Sequence, residues 1–261
     1  MREAAAQLIP LALASVRVAG VAAFAPAFAG GAIPVRLRVG IAVVLAAAAL
    51  PAVPAAALPS AALAEPWRLV PAAAVELALG AAIGVLAMLP VAAFRTAGAL
   101  CGMQAGFGFG SLYDATSGQE DGGDAAEQLL AAFGLAAFVW AGGLDAVALS
   151  ALRSFDYVGL GAWRPGSGLV GVASGAALAA AELSLRVALP VTAVLVAEAL
   201  VCGFIARSVP GVAPHALGFG VRVAVALLAL LAGVAAMQSA MDGAVSGLLD
   251  SVHAAAAGGS A

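Results

Sequence analysis

Charged residues are scarce in this chain, and lysine is missing altogether, so that all 11 basic residues are arginines. Only 10% of the 261 residues are charged and 64% are hydrophobic, whereas soluble domains average roughly 25% charged residues. So little polar surface cannot cover a water-soluble globule of this size. The composition therefore excludes an ordinary soluble domain and predicts an all-α, polytopic integral membrane protein.

The residue types that carry most enzyme and cofactor chemistry are also rare. Cys101 and Cys202 lie far apart in apolar sequence; a disulfide between them is possible, but two small buried thiols are favoured. His215 and His253 are the two histidines, and neither has companions at the spacing of a catalytic or metal cluster. The sequence contains no cluster of basic residues of the kind that indicates nucleic-acid binding. We therefore expect no enzyme activity, no cofactor and no metal.

Long apolar segments fill most of the chain, and we expect six or seven of them in one domain over residues 1–261. The main segments cover residues 8–33, 39–63, 69–94, 129–152, 169–205 and 216–237. The fifth is too long for one straight span, which indicates a kinked helix or two helices that bend at Pro190. Arg17 lies inside the first segment, which favours a retained membrane segment over a cleavable signal peptide. Residues from about 240 to 261 are expected to form a weakly structured tail.

Several charged residues lie inside the apolar segments or at their ends. Each would cost roughly 2.5–3.5 kcal/mol at a bilayer centre, so each should face protein or water. One interpretation is that these charged residues form a relay or a substrate path. The other, which we favour, is that they form ion pairs between segments or between subunits. Glu182 and Arg186 are spaced i,i+4 with the acid first, the favourable order for a pair on one helix. The residues concerned are Arg17, Glu76, Arg95, Glu182, Arg186, Glu198, Arg207 and Arg222.

A run of glycines leads into the longest polar insert of the chain. Gly98, Gly102, Gly106 and Gly110 recur every four residues, which leaves a bare ridge on one helix face where another backbone can approach closely. From Gly106 the glycines alternate, which weakens a helix interior, and an acidic, glycine-rich stretch follows. The run resembles a phosphate-binding loop only superficially, because no Gly-Lys-Ser/Thr follows. We expect the function to lie where this close packing turns into a polar loop.

The order of these features resembles the export-gate family of the flagellar protein FliR and its injectisome counterpart SctT. The match is carried by residues 17–45, with a Pro-x-Arg-x-Arg turn, by residues 76–84 and 97–118, with Gly-x-Gln-x-Gly and a loop ending in Ser-Gly, and by residues 206–223, with an Arg-x-x-Pro turn. The loop aspartate, Asp114, is followed by Ala115 where the family usually has proline. The resemblance covers nearly the whole chain in order.

The resemblance implies a non-enzymatic subunit of a type III protein export gate in the bacterial inner membrane, at a flagellar basal body or secretion apparatus. Its helices would form kinked hairpins in a helical assembly with FliP-, FliQ- and FlhB-like subunits, through which unfolded substrates pass. A loop would plug the closed pore, and the residues implied are Gly106, Gly108, Gly110, Tyr113, Asp114, Ser117, Gly118 and Gln119. The alternatives are the injectisome branch rather than the flagellar one, or a small secondary transporter with a helix broken at Gly106–Gly110.

Overall fold

The computed structural model describes residues 2–29, 34–49, 67, 69–106, 125–164, 166–208 and 214–258. These residues form eight helices and, within the ranges just given, no strand. The helices are α1 (Arg2–Phe24), α2 (Pro26–Ala29), α3 (Val35–Ala49), α4 (Leu69–Ala105), α5 (Ala125–Trp140), α6 (Gly143–Tyr157), α7 (Ser167–Ser208) and α8 (Pro214–Gly258). The prediction of an all-α chain is confirmed.

Among the described residues, three helices are long and apolar enough to cross a membrane. These spans are Leu69–Ala105, Val170–Ser208 and Gly220–Leu248, and α5 with α6 can be counted as a fourth, broken span. About 20 apolar residues suffice to cross the hydrocarbon core, and α4, α7 and α8 contain 37, 42 and 45 residues. The prediction of a helical membrane protein is therefore confirmed.

The helix bounds differ from the predicted segments at several prolines and glycines. The third segment was expected to end at Phe94, but α4 continues to Ala105 with Pro90 inside it. The fifth segment is one helix with Pro190 inside it, rather than two helices. An interior proline removes one backbone hydrogen bond. A long apolar helix can tolerate that loss when it packs against neighbouring helices.

The fourth predicted segment, 129–152, is divided into α5 and α6. The break falls at Ala141 and Gly142, and Gly142 has φ +77°. This left-handed backbone conformation is unfavourable for a residue that has a side chain, whereas glycine adopts it readily. The sequence analysis did not use the adjacent glycines Gly142 and Gly143, which could have indicated the break because such pairs mark turns.

The last helix includes residues that were expected to form a weakly structured tail. Helix α8 runs to Gly258, and Met241, Val245 and Leu248 on it are buried. No proline follows Pro214 in the sequence, and alanine is frequent there. Because alanine is the strongest helix former, the helix can continue beyond the apolar stretch.

Chain contacts divide the protein into two compact units. The first unit comprises residues 1–89, 142–178 and 245–261, and the second comprises residues 90–141 and 179–244. In the first, buried Leu13, Ala14 and Val18 of α1 cluster with Ala42 of α3 and Phe155 of α6.

The second unit contains the end of α4, the whole of α5 and parts of α7 and α8. The Phe94 and Phe133 rings have their centroids 6.0 Å apart, at an interplanar angle of 39°. An α7 face that includes Leu183, Val187, Val191 and Leu195 is also buried.

Candidate functional site

A fully buried ion pair joins α1 to α4 in the first unit. The Arg17 Nε donates to Glu76 Oε2 at 2.5 Å, and its second guanidinium nitrogen donates to Glu76 Oε1 at 3.1 Å. Both side chains have 0% of their surface exposed. Two parallel hydrogen bonds between a guanidinium and a carboxylate fix both distance and orientation. The pair therefore sets the register of α1 against α4.

Helix α6 and the turn after it complete this polar cluster. Arg17 also donates to the Ser154 hydroxyl oxygen and to the Val158 carbonyl oxygen, both at 3.2 Å. The Gly161 N–H donates to Glu76 Oε1 at 2.6 Å, and the Arg17 guanidinium carbon lies 4.2 Å from the centroid of the Phe155 ring. Buried charges are tolerable when partners satisfy their remaining hydrogen-bonding groups. Four segments of the first unit thus meet at one ion pair.

Glycines let α1 and α4 approach closely enough for this pair to form. A Cβ on Gly80 would collide with the Arg17 carbonyl oxygen and would lie 3.1 Å from the Gly20 Cα. One turn further on, a Cβ on Gly84 would lie 2.7 Å from the Val21 carbonyl oxygen. Each distance is shorter than a normal contact, so glycine is required at the helix crossing. The sequence analysis missed Gly20 as a partner of Gly80, because the two lie in different segments.

The predicted glycine ridge packs, at its first residue, against α5 of the same chain. A Cβ on Gly98 would lie 2.7 Å from the Ala126 carbonyl oxygen and 3.0 Å from the Leu130 Cβ. Gly102 is buried. The Gly106 N–H donates to the Gly102 carbonyl oxygen at 3.0 Å, and Gly106 has φ +87° where the helix ends.

Most of the predicted plug loop lies outside the described residues. Gly106 is the one member of the set that the structure places, directly after α4. The members that fall outside are Gly108, Gly110, Tyr113, Asp114, Ser117, Gly118 and Gln119.

In the described part of the chain, a single ion pair joins the two helices that flank this undescribed stretch. Arg95 Nε on α4 donates to Glu127 Oε1 in the first turn of α5 at 2.5 Å. The Arg95 side chain is 63% exposed and that of Glu127 19%. The sequence analysis named Arg95 but not Glu127, because Glu127 belongs to the acidic insert and not to an apolar segment. With Gly98 packed on Ala126, the two helices are held together at this point.

Within the described residues of the second unit, the other predicted charges form ion pairs, except Arg207. Arg186 donates to Glu182 at 3.0 Å along the exposed side of α7. Arg222 of α8 donates to Glu198 of α7 at 3.1 Å, and that carboxylate also accepts a hydrogen bond from the Cys202 thiol at 3.0 Å.

Arg207 and the two cysteines are the remaining residues that were considered from the sequence. Arg207 is exposed near the end of α7. Cys101 and Cys202 are both free thiols, so the disulfide considered from the sequence is not formed. Among the residues that the structure describes, no three His, Cys, Asp or Glu side chains meet as metal ligands would.

Comparison with known proteins places this chain in a family. The model of the family described as bacterial export proteins, family 1, matches residues 8–248, nearly the whole chain. No curated protein matches the sequence. The chain therefore belongs to bacterial export proteins, family 1, and its resemblance to the FliR/SctT family is confirmed. Membership of this family supports a role related to type III export. The family consists of structural membrane components and is not a known enzyme family.

Proposed function

We propose that this protein is a non-enzymatic subunit of the gate of a type III export apparatus in the bacterial inner membrane. It would help to form and to seal the channel through which unfolded proteins cross. The observation that carries the proposal is the family match over residues 8–248.

The lengths of the main helices support an assembly that extends beyond the bilayer. At 1.5 Å per residue, the 37, 42 and 45 residues of α4, α7 and α8 correspond to roughly 55, 63 and 68 Å. The hydrocarbon core is about 30 Å thick. A flat bundle of simple spans would leave much of each helix outside the core, whereas a raised assembly of hairpins can cover this length with protein.

Exposed apolar surface supports the presence of other subunits. In the most apolar windows of the α7 and α8 spans, only 17% of residues are buried within the chain, against 50% for α4. Apolar surface on this scale is covered by lipid or by other proteins. We propose FliP-, FliQ- and FlhB-like subunits as the protein partners.

The sealing element in this proposal is the loop that begins at Gly106. A plug must be able to move and must be too polar to enter lipid, and the glycine-rich, acidic composition of residues 106–123 suits both requirements. The ends of α4 and α5 are held together by Gly98 and by the Arg95–Glu127 pair. Opening would therefore involve the loop more than the two helices that carry it.

Deletion of the gene, with complementation by the full chain, tests the export role. We expect the deletion strain to lose secretion of type III substrates and complementation to restore it. Loss of motility with loss of flagellin export would assign the flagellar branch, and loss of secreted effectors would assign the injectisome branch. Normal export of both classes would refute the proposal.

Purification of the tagged chain from mildly solubilised membranes, followed by mass spectrometry, tests the proposed partners. FliP-, FliQ- and FlhB-like proteins should be recovered together with it. A chain that purifies alone, and that accumulates a solute in vesicles, would instead support a secondary transporter.

A further inference from the structure

Helix α7 is weakened near its middle by a proline. Pro190 has no backbone N–H, so the Arg186 carbonyl oxygen lacks its usual helical donor. Two residues further on, the Thr192 hydroxyl donates to the Leu189 carbonyl oxygen at 3.0 Å, and hydrogen bonds of this kind favour bending of a helix. The backbone of α7 is therefore less rigid here than that of an uninterrupted helix.

A glycine weakens α8 at the same level of the second unit. Gly233 lies inside α8, and glycine is the least favourable helix residue after proline. Pro190 and Gly233 line one gap of about 310 Å³ between the two helices. Outside the local backbone of α8, the one described atom within 4 Å of a Cβ built on Gly233 is the terminal methyl carbon of Met237, at 3.3 Å. The two weak points therefore face each other across a gap rather than across packed side chains.

The helices are held together on either side of this gap. Beyond the proline on α7, Leu195 is buried and Glu198 pairs with Arg222 of α8 at 3.1 Å. On the other side of the gap, Leu183 of α7 and Met241 of α8 are both buried. Side chains next to a void lose van der Waals contacts, so the level of the gap resists bending less than the packed layers do.

We propose that α7 and α8 bend together at the level of Pro190 and Gly233, and that the packed layers on either side move as two blocks. The lost backbone hydrogen bond, the interior glycine and the gap all lie at this one level. Such a flexure lets the second unit bend without opening the Glu198–Arg222 pair. This flexibility belongs to the chain itself and does not depend on the export role.

Amide hydrogen exchange of the purified full chain in lipid nanodiscs, measured by mass spectrometry, tests the flexure. Pro190 and Gly233 lie near the centres of the spans Val170–Ser208 and Gly220–Leu248. The centre of a spanning helix normally exchanges slowest, because its backbone hydrogen bonds are shielded from water. We expect instead a local maximum of exchange in residues 186–194 and 229–237. Continuous protection through both helices, as in a fixed kink, would overturn the proposal, and so would fast exchange in one helix alone.

Two matched substitutions show whether the gap couples the two helices. Gly233→Leu adds a side chain that fills part of the gap, whereas Gly220→Leu adds the same side chain to α8 where the described chain has nothing within 4 Å of the new Cβ. Both changes raise helix propensity alike, but only Gly233→Leu should slow exchange in residues 186–194 of α7, by several-fold. No slowing there, or equal slowing with Gly220→Leu, would overturn the proposal. If Gly233→Leu does not reach the membrane, Gly233→Ala replaces it, with Gly220→Ala as its control.

Discussion

Replacement of Glu76 by glutamine should sharply destabilise the first unit while almost preserving its shape. The amide oxygen can still accept the hydrogen bond that Gly161 donates to Oε1. The change removes the negative charge opposite Arg17, which is 0% exposed and 2.5 Å from the carboxylate. Breaking a buried ion pair by removing one partner costs about 3–5 kcal/mol, because it leaves an uncompensated buried charge.

This cost is large relative to the stability of a typical protein. Native proteins are stable by about 5–15 kcal/mol, and each kcal/mol shifts the melting temperature of a chain of this size by about 2–4 °C. We therefore expect the detergent-solubilised Glu76→Gln variant to melt roughly 10 °C below the wild type. Size-exclusion chromatography after heating, with fluorescence detection, measures the shift.

Two further variants show whether the cause is the buried charge. Arg186→Gln removes an ion pair whose side chains are 66% and 68% exposed, so it should change stability by about 0.5 kcal/mol or less. The double variant Arg17→Met/Glu76→Met buries no charge and should be more stable than either single methionine variant. If Glu76→Gln melts like the wild type, or if the double variant is the least stable, the reasoning is refuted.

The remaining predictions concern the glycines. Gly80→Ala should destabilise the chain by about 2 kcal/mol, because its Cβ would collide with the backbone of α1. By contrast, Gly40→Ala, with nothing within 4 Å of the new Cβ, should stabilise α3 by up to about 1 kcal/mol. The same melting assay compares the two, and equal effects would contradict the crossing geometry. Gly102→Leu should block co-purification with the proposed partner subunits, and normal recovery of the complex would show that the ridge is not needed for assembly.

A short-range pattern in the sequence was enough to predict the ion pair between Glu182 and Arg186. Glu182 and Arg186 lie one helical turn apart, so the geometry of a single helix decides that they can pair. The charge of Arg17 and that of Glu76 marked each residue as needing a protein or water environment. Their pairing could not be predicted, because they are 59 positions apart and the fold alone brings α1 against α4.

The partners of the buried pair show a second limit of sequence reasoning. The Val158 carbonyl and the Gly161 N–H are backbone groups, and every residue except proline carries both kinds of group. Their role depends on the turn after α6, which lies between the predicted segments 129–152 and 169–205. Similarly, Pro90 and Pro190 lower the local helix propensity, but tertiary packing overrides propensity in long apolar helices.

The permeability of membranes that contain a loop-deleted protein tests the proposed gate most directly. Deletion of residues 112–122 should leave the complex intact on purification but should make the membranes leak ions or small molecules. The wild type, and cells that lack the whole gene, serve as controls for the sealed state. Leakage from the deletion variant alone is the result that the account predicts, and unchanged permeability with an assembled complex would contradict it.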